Sequence, residues 1–230
     1  MKKISLLFFC ALAANSLFGQ ANVNYTNATF EVVKKINQGV SQTDLSEIKG
    51  SAYFSENFYP GKVSKGAQTS DQVYFLRYNG YNDEIEMADA ATALSATEAL
   101  VKNKNIACQF NGESYLYLIY NDKEGKQNEG YLIPQHLGKM YKVYTRKYKK
   151  LTEGREAKTS LEQDIPPRFV DQEETLLQMG DNAPQVIKIK YKNILALLSG
   201  EALTKATAEK GKFKKMKTVD ELVALVKQIE

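Results

Sequence analysis

The sequence predicts an α+β fold: mainly an antiparallel β-meander, shaped as a curved sheet, partial barrel or sandwich, followed by a C-terminal helical segment. Three observations carry this expectation. Between Ser51 and Tyr148, β-prone runs alternate with turn signals that include Asn79–Gly80 and Asn111–Gly112, dipeptides that supply the two positive φ angles of a type I′ hairpin. Two-residue links join only antiparallel neighbours. Beyond Lys190 the apolar spacing changes from a strand period to a helical one.

Taken in order, Lys2 and Lys3, the apolar run Ile4–Leu12 and the polar exit Asn15–Gln20 have the layout of a secretory signal peptide. Cleavage is expected around Gly19–Gln20, with a cut after Ala13 or Ala14 as the alternative. The run is too short to span a bilayer, and no later stretch reaches the roughly 18 apolar residues a transmembrane helix needs. The mature chain is therefore expected to be exported and soluble or peripheral, with a β-rich domain over 21–190 and a helical segment over 191–230 packed on it. Cys10 follows Phe8 and Phe9 inside the apolar run, a poor setting for lipid attachment. With Cys10 removed, Cys108 is the single thiol and has no intramolecular partner.

The first hairpin is expected from Gln72–Tyr78 and Tyr81–Met87, the second from Ile106–Phe110 and Glu113–Tyr120. In the second, Tyr115, Tyr117 and Ile119 alternate with Leu116, Leu118 and Tyr120, so both faces are occupied. Ser95 and Glu98 are spaced as a capping box for a short helix reaching about Lys102. A polar loop over 121–129 leads to strands at 130–133 and 138–148. The charged stretch 149–168 with Pro166–Pro167 reads as a long surface connection, and 174–179 pairs with 185–190 around a turn at 180–184. Tyr191, Ile194, Leu195 and Leu198 share a helical face that Gly200 should stop; Glu201–Lys210 continues helical to Gly211. Thr218 and Glu221 cap a last helix whose stripe is Val219, Leu222, Val223, Val226 and Ile229.

The formal charge of +4 falls to +2 without Lys2 and Lys3, which is no nucleic-acid signature, so nucleic acid is not expected as a partner. No Walker loop, dinucleotide fingerprint, nucleophile elbow or EF-hand loop is present. One histidine, His136, lies in the turn 134–138, with no sequence adjacency to Cys108 that would suggest a nucleophile and base. Histidine-built metal sites draw several His or Cys ligands, so neither a metal nor a cofactor is expected. Asp83, Glu84 and Glu86 are the candidate catalytic carboxylates, since paired acids can hydrolyse glycosidic bonds; Asp83 is also a candidate partner for Arg77 across the turn. Tyr78, Tyr81, Tyr117 and Tyr144 are candidate ligand contacts, because tyrosine offers an apolar body and a polar tip. The absence of Trp weighs against a carbohydrate version. The basic runs Lys142–Lys150 and Lys205–Lys217 are candidates for contact with lipid headgroups or lipopolysaccharide. Asn24 and Asn27 begin glycosylation sequons.

The segments Gly50–Phe54, Phe58–Gly61, Arg77–Glu84 and Gly130–Leu132, with Gly138 and Tyr141 following, resemble uncharacterised secreted proteins common in the Bacteroidetes, which similarly end in a lysine-rich helical region like Lys188–Ile229. The resemblance implies export to the periplasm or the outer-membrane periphery rather than full release, and carries no catalytic residue. The expected function is that of an envelope protein acting as a non-enzymatic binding or scaffold module for a partner protein or an amphiphilic ligand. The alternative is a carboxylate-dependent hydrolase acting on envelope or extracellular polymers.

Overall fold

The computed structural model describes the backbone at 34–36 and residues 48–159 and 162–230; the expected signal peptide, Cys10 and the two sequons lie outside the described residues. The strands are β1 (Lys34–Ile36), β2 (Tyr59–Lys65), β3 (Gln68–Thr69), β4 (Tyr74–Asn79), β5 (Glu84–Ala88), β6 (Glu98–Leu100), β7 (Ile106–Phe110), β8 (Glu113–Asn121), β9 (Gln127–Leu137), β10 (Tyr141–Thr152), β11 (Arg168–Met179) and β12 (Gln185–Ile187). The helices are α1 (Tyr191–Leu195), α2 (Gly200–Ala208), α3 (Lys210–Phe213) and α4 (Val219–Ile229). All strands join one sheet in the order β1-β6-β5-β4-β2-β7-β8-β12-β11-β10-β9, with β3 beside β2 and a further β8–β9 pairing. The pairings between these strands are antiparallel except for the parallel bridge Gln185↔Asn121 between β12 and β8, and an isolated parallel bridge joins Lys49 to Arg168. The β12–β8 bridge brings β8, β9, β10, β11 and β12 round into a partial ring, not a barrel.

The Asn111–Gly112 hairpin forms as expected: both residues have positive φ, 49° and 76°, and Phe110 pairs with Glu113. The Asn79–Gly80 hairpin is a correction. Asn79 pairs with Glu84, leaving a four-residue connection in which Asp83 takes the left-handed φ of 53°. Asn79 Oδ1 accepts hydrogen bonds from the backbone N–H groups of Tyr81 (3.1 Å) and Asn82 (3.0 Å), an Asx-type turn that outcompetes the two-residue loop. Gly80 serves close approach instead: its N–H donates to the Ala52 carbonyl and its own carbonyl accepts from Lys149 N, both at 2.9 Å, and a Cβ there would sit 2.8 Å from the Phe54 ring.

The capping-box helix expected after Ser95 is absent. Glu98–Leu100 is a strand between β5 and β1, with Ala99 and Leu100 buried; pairing of the open β5 edge overrides a modest local helix preference. The connection expected over 149–168 is shorter, because β10 runs to Thr152 and β11 begins at Arg168, paired without interruption from Tyr141↔Met179 to Thr152↔Arg168. The strand at 130–133 is part of the longer β9, whose register slips against β10 between His136 and Pro134. That bulge accommodates a proline, which has no N–H to give the ladder.

One core packs Leu76, Tyr78, Ile85, Cys108, Phe110, Tyr115, Tyr117 and Tyr131 with their neighbours on the β2–β9 part of the sheet. A second packs the helices on β10 and β11, joining Val143 and Leu177 to Ile194, Phe213, Leu222, Leu225, Val226 and Ile229. A small third cluster of Tyr120, Leu132, Tyr144 and Leu176 also draws on β8–β11. α1 stops at Leu195, before the Gly200 expected to end it; Gly200, with φ 56°, instead opens α2, and Gly211 lies inside α3. Thr218 and Glu221 form the reciprocal capping box of α4. Its buried stripe is Leu222, Leu225, Val226 and Ile229; Val219 and Val223 are half-buried, so the stripe lies nearer Leu225 than the sequence spacing implied.

The end of α4 is tied to the sheet by charge. Glu230 Oε1 accepts from the backbone N–H groups of Met140 (3.0 Å) and Tyr141 (2.9 Å), and Oε2 lies 3.6 Å from His136 Nε2. Burial alone would push this carboxyl up, but the two N–H groups and the neighbouring imidazole outweigh it and hold it below the ordinary value of 4.5. A carboxyl lowered on folding stabilises the folded state above its unfolded pKa, and that stabilisation is lost as pH falls through the folded value. Acid titration of stability by circular dichroism is therefore expected to fall less steeply below about pH 4.5 in Glu230→Gln than in the parent.

Candidate functional site

A surface cleft of about 170 Å³ opens where residues 54–59 cross the β7–β8 turn and β10. Its lining includes Phe54, Tyr59, Tyr78, Tyr115, Glu113 and Lys147, with Asn57 and Asn111 among its polar groups. The walls are aromatic. Phe54 lies parallel to Tyr78 with ring centres 6.3 Å apart, Phe110 stacks on Tyr115 at 4.8 Å, and Tyr78 tilts against Tyr115 at 5.2 Å. Phe54 is 40 % exposed, a large apolar ring left at the surface.

The polar groups are mutually engaged. Tyr115 donates to Glu113 Oε2 at 2.7 Å, the other Glu113 oxygen accepts from Lys147 Nζ, and Ser55 Oγ and Tyr59 OH share a hydrogen bond at 2.9 Å. Burial, reinforced by the Glu113 carboxylate, pushes the Tyr115 phenol far above its ordinary value, so it stays a neutral donor. The cleft thus combines ring faces with a half-exposed carboxylate and ammonium, an arrangement for holding an amphiphilic group by stacking and hydrogen bonding.

The carboxylates singled out in the sequence are separated and tied into the fold. Glu86, directly opposite Arg77, takes two of its hydrogen bonds, from Nη2 at 2.7 Å and Nε at 3.2 Å. Its second oxygen accepts from Asn79 Nδ2 (2.9 Å) and Tyr53 OH (3.1 Å). The Arg77 guanidinium is sandwiched, its central carbon 3.8 Å from the Tyr53 ring centre and 4.2 Å from that of Phe58. Burial, then the Glu86 charge, pushes the Tyr53 phenol up to about 12. Arg77 therefore pairs with Glu86 and not with Asp83, because the longer turn moves the register by several residues. Asp83 Oδ1 instead accepts from Tyr78 OH at 2.7 Å, and the Tyr131 backbone N–H reaches the same carboxylate at 3.3 Å. Glu84 is buried on β5.

Of the four tyrosines, Tyr78 lines the cleft. Tyr81 is exposed and edge-on to Phe169 at 5.1 Å, Tyr117 donates to Glu129 at 3.1 Å, and Tyr144 donates to Gln178 at 2.9 Å. His136 faces Glu230, while Cys108 is buried in the first core and its thiol is pushed up by that burial. Among the described residues no three His, Cys, Asp or Glu side chains cluster to hold a metal ion, and no helix is long and apolar enough to cross a membrane. Sequence reasoning missed Phe54, Glu113 and Lys147. The Asn111–Gly112 turn was the available signal for Glu113, whereas nothing local places Lys147 or Phe54 beside it.

Comparison with protein-family models, with curated proteins and with solved structures finds no match.

Proposed function

We propose that this protein is a non-enzymatic binding module of the cell envelope and that the Phe54–Tyr78–Tyr115 cleft is its ligand site. The observation that carries this reading is the exposed Phe54 ring, parallel to Tyr78 at the mouth of a cleft with a polar rim. A volume of about 170 Å³ is below the roughly 300–1,000 Å³ of sites for drug-sized molecules. It suits one ring-sized amphiphilic group, presented by a small ligand or by a partner protein. The hydrolase alternative is weaker, since Asp83 and Glu86 spend their oxygens on internal hydrogen bonds. The envelope location rests on the signal-peptide layout of residues 1–20 and on the resemblance described above.

The reading is tested by titrating isotope-labelled protein with p-cresol and with methyl glucoside while recording backbone amide spectra. Saturable shifts are expected at Asn57, Asn111 and Tyr115 with at least one of these probes. Shifts confined to other parts of the sheet, or none with either probe, would overturn the assignment of the site.

A further inference from the structure

We propose that the lysine-rich corner formed by α3 and the turn to Thr218 docks the protein on an anionic phospholipid surface; this rests on the envelope reading above but not on the cleft. Residues 210–217 hold Lys210, Lys212, Lys214, Lys215 and Lys217 and no acid. That is a net charge of +5 within eight residues.

The two basic runs of the sequence differ in how they are neutralised. In the strand run, Arg146 faces Glu174 at 3.3 Å, Lys147 is bound to Glu113 and Lys149 is 2.6 Å from Asp171. Those cations complete cross-strand pairs. In the helical run all five lysines are exposed, and among the described residues none of their ammonium groups is ion-paired, although Lys205 just before them is held by Glu201 at 3.2 Å. The backbone beneath them is fixed. Phe213 and Met216 are buried in the helical core, and Lys214 N and Met216 N donate to the carbonyls of Lys210 and Phe213 at 3.0 and 2.9 Å.

A short array of ammonium groups with no ion-pair partner among the described residues, carried on a fixed backbone, matches a dense plane of phosphates better than it matches an isolated anion. Clusters of 4–8 basic residues bind anionic bilayers with a contribution from each lysine, and the attraction is screened within a Debye length. Apolar insertion is not required, because the apolar side chains of this segment face the core.

The test is co-sedimentation of the full protein with vesicles of phosphatidylglycerol and phosphatidylethanolamine, against pure phosphatidylcholine. Binding to the anionic vesicles is expected, with little to phosphatidylcholine, and it should fall steeply between 0.05 and 0.5 M salt, test conditions of about 14 Å and 4 Å Debye length. The triple substitution Lys210→Glu, Lys214→Glu, Lys217→Glu should weaken it about a hundredfold or more. Lys142→Glu with Lys150→Glu should leave it nearly unchanged. Circular dichroism of each variant verifies folding, and Lys→Gln at the same three positions provides a milder series should the Glu variant unfold. Equal binding to phosphatidylcholine, no binding at low salt, equal loss from the strand variants, or tighter binding to duplex DNA than to vesicles would overturn the proposal. The soluble probes of the cleft do not depend on these lysines, so the two readings fail separately.

Discussion

Glu86→Ala is expected to destabilise the protein by about 3–5 kcal/mol in urea titration, as removing one partner of a buried ion pair does. Both side chains of the Arg77–Glu86 pair are only 6 % exposed, and Glu86 also holds Asn79 and Tyr53. Its loss strands a buried guanidinium between two aromatic rings and frees the segment from Tyr53 to Phe58 that Arg77 anchors, including its Nη1 bond to the Glu56 carbonyl at 2.9 Å. Replacing both partners together, Arg77→Met with Glu86→Leu, should cost less than Glu86→Ala alone, because no unpaired charge is then left inside. If Glu86→Ala changes stability by less than about 1 kcal/mol, the pair behaves as an exposed one and the account of this hairpin fails.

The second large effect is expected from the C-terminal helix. Leu222 and Leu225 are fully buried against the second core, and Leu→Ala at such a site costs about 2–5 kcal/mol through lost transfer energy and the cavity left behind. Leu222→Ala should lower the denaturation midpoint accordingly, and deletion of Thr218–Glu230 should lower the melting temperature sharply or leave the protein insoluble. A truncated protein that melts unchanged would mean that the stripe is not part of the fold's core.

These two regions also mark how far the sequence could be read. The capping box at Thr218–Glu221 and the helical period of α4 are local features, and both appear in the structure, with Leu225 joining Leu222, Val226 and Ile229 in the buried stripe while Val219 and Val223 are half-buried. The Asn111–Gly112 turn is equally local. Asn79–Gly80 carries the same two letters and does something else, since Gly80 is used for its lack of a side chain against Phe54 and its backbone bonds to Ala52 and Lys149. Those partners are distant in the chain. The same holds for Glu98–Leu100, where the edge of β5 recruits a strand from a segment with helical capping letters. The cleft was the least legible part, for it assembles Phe54, Glu113 and Lys147 from three separated segments, and only the curvature that brings β10 beside the β7–β8 turn puts them together.

The most direct measurement is the affinity of the cleft probe for Phe54→Ala compared with the parent, read by calorimetric titration alongside urea midpoints. Phe54 stands at the cleft mouth and outside the buried core, so its loss should change stability by only about 1 kcal/mol, the scale of one aromatic pair. Probe binding is expected to be at least about tenfold weaker, the 1.4 kcal/mol equivalent of one lost stacking contact. Undiminished binding in a folded Phe54→Ala protein would contradict the binding-module reading, as would turnover of a polymer substrate that disappears in Glu84→Gln.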